Sequence, residues 1–133
     1  MNLSIVVPLF NEEDNVAPLL QRIHEALPDT DYEIVLVDDG SSDETVKRVR
    51  VLAAQRVKLV IFNRNYGQTT AMNAGIHYAE GDYIVTMDGD LQNDPSDIPA
   101  MLQMIDDENC DVVAGNRKNR KDGMVLRKLP SKI

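Results

Sequence analysis

The stretch Tyr32-Glu33-Ile34-Val35-Leu36-Val37-Asp38-Asp39-Gly40-Ser41 decides how the fold is read. Its apolar run has the length and the β-branched content of a buried strand, and Asp38-Asp39-Gly40 ends it in turn-forming residues. Ser41 and Glu44 then stand at capping-box spacing, which predicts a helix from there to about Gln55. The same succession recurs on both sides. Leu3-Ser4-Ile5-Val6-Val7 is a strand expected to stop at Pro8, because proline donates nothing to a ladder. Asn15 to Leu27 carries Val16, Leu19, Leu20, Ile23 and Leu27 at helical spacing, with Pro18 in the first turn. Downstream come a strand at Val57–Phe62 and a small-residue helix at Gly67–Ala79 closed by Gly81 as a left-handed cap. A strand at Tyr83–Met87, a helix at Asp97–Asp107 and a strand at Asp111–Ala114 complete the pattern. Strands alternating with helices predict an α/β fold, a mostly parallel sheet with helices on both faces.

Ligands in such sheets bind beyond the carboxyl ends of the strands. Here those ends carry Asn11-Glu12-Glu13-Asp14, Asp38-Asp39, Asn63-Arg64-Asn65 and Asp88-Gly89-Asp90. The first strand-to-helix turn has neither Gly-x-Gly-x-x-Gly nor Gly-Lys-Ser/Thr, so a backbone phosphate cradle is excluded. Carboxylates repel phosphate unless a divalent cation stands between them. Asp88 and Asp90, two apart around a flexible glycine, can reach one hard cation, and Gln92 offers a further oxygen. Mg2+ or Mn2+ suits such donors. An Asp-Gly turn with solvated carboxylates is the plainer alternative, but the position after a buried strand on the ligand edge favours a site. At Asp38-Asp39 both roles are expected, with Gly40, Ser41 and Glu44 building the turn and Asp39 facing a ligand.

The 133 residues suffice for one domain, and the net charge of −8 hides an asymmetry. Residues 1–116 hold 7 Lys+Arg against 21 Asp+Glu, whereas residues 117–133 hold 7 against 1. The acidic body argues against nucleic acid as a partner. The basic tail points to phosphate groups on a ligand or a membrane surface, or is simply solvated. Cys110 alone excludes an internal disulfide and reads as a buried thiol. His24 and His77 read as surface or helix residues, and Met101 and Met104 as core packing. No segment has the length of a membrane span and no signal peptide is evident, so this part is expected to be soluble and cytoplasmic.

Four segments together resemble the family 2 inverting glycosyltransferases of GT-A fold. They are Val7-Pro8-Leu9-Phe10-Asn11-Glu12-Glu13, Val37 to Asp43, Arg64-Asn65-Tyr66-Gly67 through Gly75, and Met87-Asp88-Gly89-Asp90-Leu91-Gln92-Asn93-Asp94-Pro95. Gly115-x-Arg117-x-x-Arg120-x-Asp122, with Arg127 and Ser131, is similar to the polyprenyl-phosphate branch, which includes dolichol-phosphate mannose synthases and undecaprenyl-phosphate glucosyltransferases. The resemblance implies a hexosyltransferase that moves sugar from UDP- or GDP-hexose to a polyprenyl phosphate at the cytoplasmic face of a membrane. Pro8, Phe10 and Glu12 would contact base and ribose, and Asp39 the base. Asp88, Asp90 and Gln92 would hold Mg2+ or Mn2+, with Asp90 and Arg117 serving catalysis. Arg117 would face a phosphate, and Arg127 is a weaker candidate for that task. Phe10 stands where relatives often carry Tyr, which preserves stacking on a base but not a hydroxyl contact. Residues 1–116 would form the nucleotide-sugar-binding subdomain and 117–133 the start of an acceptor- and membrane-proximal region.

The chain is expected to be truncated, to be inactive alone and to self-associate through apolar surface meant for the missing part. The carboxylate that serves the family as general base lies farther along than this chain reaches; a sugar hydroxyl acceptor needs it, whereas a phosphate acceptor needs little or none. A transferase acting on a saccharide hydroxyl in polysaccharide or cell-envelope synthesis, with its base in the missing region, is the nearer alternative. A receiver-type signalling domain, also α/β with acidic strand ends, is the remote one.

Overall fold

A computed structural model describes residues 2–52, 56–107, 111–114 and 124–128. The elements in order are β1 (Leu3–Leu9), α1 (Val16–Ala26), β2 (Tyr32–Asp38), α2 (Thr45–Leu52), β3 (Val57–Ile61), α3 (Gln68–Tyr78) and β4 (Tyr83–Thr86). A 3-10 turn (Pro95–Asp97), α4 (Ile98–Asp107), β5 (Val112–Ala114) and β6 (Val125–Lys128) follow. The strands form one sheet in the order β3-β2-β1-β4-β6-β5. β1 pairs in parallel with β2 and with β4, and β2 in parallel with β3. β6 runs antiparallel to both β4 and β5. The chain thus winds outward from β1 to β3, then crosses back to lay β4 against the other edge of β1. A receiver-type domain orders its strands 2-1-3-4-5, so this topology overturns that reading.

Every residue of β1 and β2 is buried, as strands covered on both faces must be. Leu3, Ile5, Val7, Leu9, Ile34 and Leu36 face a core shared with α1, Val49 of α2 and Ile98, Met101 and Ile105 of α4. Val6, Val35 and Val37 face the opposite way, against Ala71 and Ala79. Small residues let α3 lie close to the sheet there. A Cβ added at Gly75 would come within 2.3 Å of Val6 Cγ1.

Several local expectations give way to contacts from distant residues. β1 continues through Pro8 to Leu9. The Leu9 carbonyl accepts from Asp39 N on the β2 side, and the Val6 carbonyl accepts from Met87 N on the β4 side. Because successive residues point alternately, the missing N–H of Pro8 faces the β4 side, beyond the last β4 residue in register with β1. Ser41 does not cap α2. Its hydroxyl donates to Asp38 Oδ1 and accepts from Asn11 N, while Asp43 Oδ1 accepts from Thr45 N at 3.0 Å and from the Thr45 hydroxyl. Gly81 is not a left-handed cap either, since the positive-φ glycines among the described residues are Gly40 and Gly67. It is there for room, because a Cβ would meet Ser4 N at 2.7 Å. Met101 is buried as expected, but Met104 is about half exposed. β6 lies within the segment read as a basic tail, with Met124 and Leu126 buried. Cys110 lies outside the described residues.

At the edge of the sheet away from the acidic loops, Glu33 is buried and ties three elements together. Its Oε2 accepts from the Ser4 hydroxyl at 2.5 Å and from Glu80 N at 2.7 Å, and Lys58 Nζ lies 2.8 Å from Oε1. Burial pushes this carboxyl up, but the hydrogen bonds from Lys58, Ser4 and Glu80 outweigh it and hold the group below its ordinary value of 4.5. The stabilisation is therefore present above pH 4.5 and is lost as pH falls through the lower folded value.

Two outcomes are expected in urea unfolding. Glu33→Gln lowers stability at pH 7 by about 1.5–3 kcal/mol, the scale of hydrogen bonds to a charged group, and the gap to the parent narrows as the pH is taken below 4. Gly75→Ala costs about 1–3 kcal/mol by overpacking against Val6, with no such pH dependence.

Candidate nucleotide and cation cleft

The strand order reverses between β1 and β4, and a cleft opens there beyond their carboxyl ends. It is lined by Pro8, Leu9, Phe10, Glu12, Asp39, Gln68, Asp88, Gly89 and Asp90. Of the residues singled out from sequence, Pro8, Phe10, Glu12, Asp39, Asp88 and Asp90 are thus brought together. At about 190 Å³ the cleft encloses only part of a ligand of nucleotide-sugar size.

The turns after β1 and β2 hold one another. Asn11 adopts φ +52°, which Asn tolerates, and its Oδ1 accepts from Ser42 N at 2.8 Å. Glu12 N donates to the Thr45 hydroxyl, and Glu13 Oε2 accepts from Glu44 N ahead of α2. Glu12 Oε2 in turn accepts from Asn15 Nδ2 at 2.7 Å. Asp43, held by Thr45 and by Glu13 N, titrates below its ordinary value because these hydrogen bonds overcome the upward pull of burial. Phe10 stays about half exposed, so a ring face is available at the mouth of the cleft.

Asp38 and Asp39 have different roles. Asp38 builds the turn by accepting from Ser41 N and the Ser41 hydroxyl. Asp39 is buried and lines the cleft, and it also fixes the loop before α3: its Oδ1 accepts from Tyr66 N, and its Oδ2 from Asn65 Nδ2 and Gly67 N. Gly40, at φ +76°, lets that loop approach, because a Cβ would sit 2.3 Å from the Arg64 carbonyl carbon.

The Asp88–Gln92 loop is held as firmly. Gly89 packs closely on β1, where a Cβ would meet Leu9 Cδ2 at 2.5 Å and Pro8 O at 3.2 Å. The left-handed position belongs to Leu91, at φ +66°, a strained conformation for that side chain. Its carbonyl accepts from Arg22 on α1 at 3.3 Å. Asn93, buried, accepts from Asp88 N at 2.7 Å, and Gln68 Nε2 donates to Asp88 Oδ1 at 2.8 Å. Both amides fall inside segments that carry the family resemblance, but the sequence assigns neither of them a role. Gln92 donates its backbone N–H to Asp90 Oδ1 and is not among the cleft-lining residues.

Asp88 and Asp90 fit a hard divalent cation. Two carboxylates are a usual protein share of a Mg2+ site that substrate phosphates complete. Among the described residues, no group of three or more His, Cys, Asp or Glu gathers as a metal site independent of a ligand. Arg117 lies outside the described residues. Arg127 is on β6 in register with Ile84, which puts it roughly 13 Å along the strand from Asp88 at about 3.3 Å per residue. The register therefore leaves Arg127 away from the cleft.

An α/β sheet with an acidic cleft at its switch point places the chain among ligand-binding α/β folds, and comparison with known proteins narrows this. The model of glycosyl transferase family 2 matches residues 4–133, and the chain belongs to that family. A dodecaprenyl-phosphate galacturonate synthase of Rhizobium johnstonii is 48% identical over 98% of this chain and 40% of its own length. An undecaprenyl-phosphate 4-deoxy-4-formamido-L-arabinose transferase of Proteus mirabilis is 41% identical over 98% of this chain and 41% of its own. The chain thus spans about two fifths of the length of these relatives. A mannosyltransferase of Pyrobaculum calidifontis, solved with GDP-Man and Mn2+, superposes with a TM-score of 0.81 at 21% identity, covering 96% of this chain and 44% of that one. That likeness bears out the GT-A fold.

Asn93→Ala is expected to destabilise the protein by about 1–3 kcal/mol in denaturant unfolding, because it removes the acceptor of the Asp88 N–H.

Proposed function

We propose that this chain is the donor-binding part of a metal-dependent glycosyltransferase that moves a hexose from a nucleoside diphosphate to a polyprenyl phosphate. The observation that carries this is the meeting of Asp88 and Asp90 with Pro8, Phe10, Glu12 and Asp39 in one cleft at the switch point. The relatives whose names specify dodecaprenyl and undecaprenyl phosphate support the acceptor, and the neighbour solved with GDP-Man and Mn2+ supports donor and cation.

On this reading Phe10 stacks on the base, and Pro8, Glu12 and Asp39 take up base and ribose contacts. Asp88 and Asp90, with Gln92 of the same loop, hold Mg2+ or Mn2+. That ion supplies neutralisation of the charge that grows on the departing diphosphate. An oxygen of the lipid phosphate attacks the anomeric carbon as the bond to the diphosphate oxygen breaks on the opposite face. An acceptor already ionised needs no carboxylate base. Arg117 is assigned to a phosphate of donor or lipid. Residues 1–116 make up the nucleotide-sugar-binding subdomain and 117–133 begin the acceptor side. In the whole protein the reaction takes place at the cytoplasmic face of a membrane. Among the described residues no helix is long and apolar enough to cross one.

Calorimetric titration with UDP-glucose, GDP-mannose and the free diphosphates tests this, with and without Mn2+. One nucleotide series binds, and Mn2+ tightens it. Asp88→Ala or Asp90→Ala weakens the Mn2+-dependent part by roughly 10–100-fold or more, a range that losses in the surrounding shell already reach. Binding that ignores both Mn2+ and Asp90 would refute the reading.

A further inference from the structure

We propose that Gln68 is a positioning residue for the cation-holding carboxylate of Asp88, and that Asp39 sets where Gln68 stands. The proposal rests on the cation reading of Asp88 and Asp90 given above.

The geometry runs through consecutive residues. Asp39, buried at the end of β2, accepts the backbone N–H groups of Tyr66 and Gly67 at 2.7 and 3.1 Å and the Asn65 amide at 3.1 Å. This fixes the path of the chain up to the first residue of α3, which is Gln68. Gly67, at φ +104°, makes the turn into the helix. From that first turn the Gln68 amide reaches the cleft and donates to Asp88 Oδ1 at 2.8 Å. α3 itself cannot drift, because Ala71 and Gly75 are packed against Val6 and Val37 of the sheet. The donor therefore sits on a rigid element. The carboxylate it holds is on a loop, whose backbone Asn93 fixes at the same residue.

A carboxylate that ligates a cation is better preorganised when an outer donor fixes its rotamer, and removing such a donor typically costs 10–100-fold in metal affinity. Gln can do this without adding charge. A Lys or Arg in its place would repel the cation, and a carboxylate would compete for it. Gln68 is exposed and makes no core contact, so its replacement tests the site without testing the fold.

Gln68→Met keeps the length of the side chain and removes the donor. The intact chain is titrated with Mn2+ in the presence of saturating UDP or GDP, whichever binds, and free ion is followed by its electron paramagnetic resonance signal. The expected result is a loss of roughly 10–100-fold in Mn2+ affinity, with an altered spectrum of the bound ion. Metal-free nucleotide binding falls by less than the Mn2+ affinity does, and the unfolding midpoint stays unchanged. Unaltered Mn2+ affinity in the variant, with normal uptake by the parent chain, overturns the role of Gln68 and leaves the cation reading standing. Equal losses with and without Mn2+ also overturn it, because Gln68 would then act on the nucleotide and not through Asp88. A parent chain that takes up no Mn2+ with either nucleotide sinks the cation reading, and this proposal with it.

Discussion

The pairing of β1 with β2 along one edge and with β4 along the other is the constraint from which the rest follows. A strand buried on both faces exposes none of its side chains, and β1 exposes none from Leu3 to Leu9. The crossovers on its two sides leave in opposite directions, so no helix can cover the gap between the ends of β1 and β4. That gap is the cleft. Its chemistry comes from residues just past the strand ends, where the chain is free of the ladder but still held at one side.

Gathering carboxylates at one edge is costly unless each is compensated, and the compensation here is mostly backbone. Asp38, Asp39 and Asp43 accept N–H groups from turns or from a helix start. The acids thereby act as braces, joining the turn after β1 to the turn after β2, and the latter to the loop before α3. Asp88 and Asp90 differ in degree. Asp88 is partly buried and Asp90 exposed, whereas Asp38 and Asp39 are buried, and the Asp88–Gln92 loop has its strain at Leu91 and its path held by Arg22 and Asn93. Braces inside and carboxylates at the rim are what an acidic cleft needs if it is to receive an anionic ligand through a cation.

The strands and the acidic edge were legible in the sequence because both are local. An apolar run such as Ile34-Val35-Leu36-Val37 ending in Asp-Asp is visible without partners. What was not legible depended on partners far along the chain. Ser41 has the spacing of a capping residue but is drawn to Asp38 and to Asn11, thirty residues away, so Asp43 takes the capping task. Gly81 is explained by the backbone of Ser4 and not by its own conformation. Val125–Lys128 ends in two basic residues and reads as tail. Its alternation of buried Met124 and Leu126 with exposed Val125 and Arg127 is masked because Val125 is apolar on the outer face. Gln68 and Asn93 lie in segments that carry the resemblance, yet nothing local gives either a role, since an amide becomes a positioning group only through what it touches.

Pro8 has a consequence beyond its tolerance in β1. Two parallel strands with free donors and acceptors tend to keep pairing for as long as their residues allow. At Pro8 the next rung toward β4 has no donor, so the ladder between β1 and β4 ends there by chemistry and not by accident of length. The proline acts as a zipper stop. It fixes the depth of the notch into which Asp88 and Gly89 turn, and it keeps the floor of the cleft from closing by the same pairing that builds its walls.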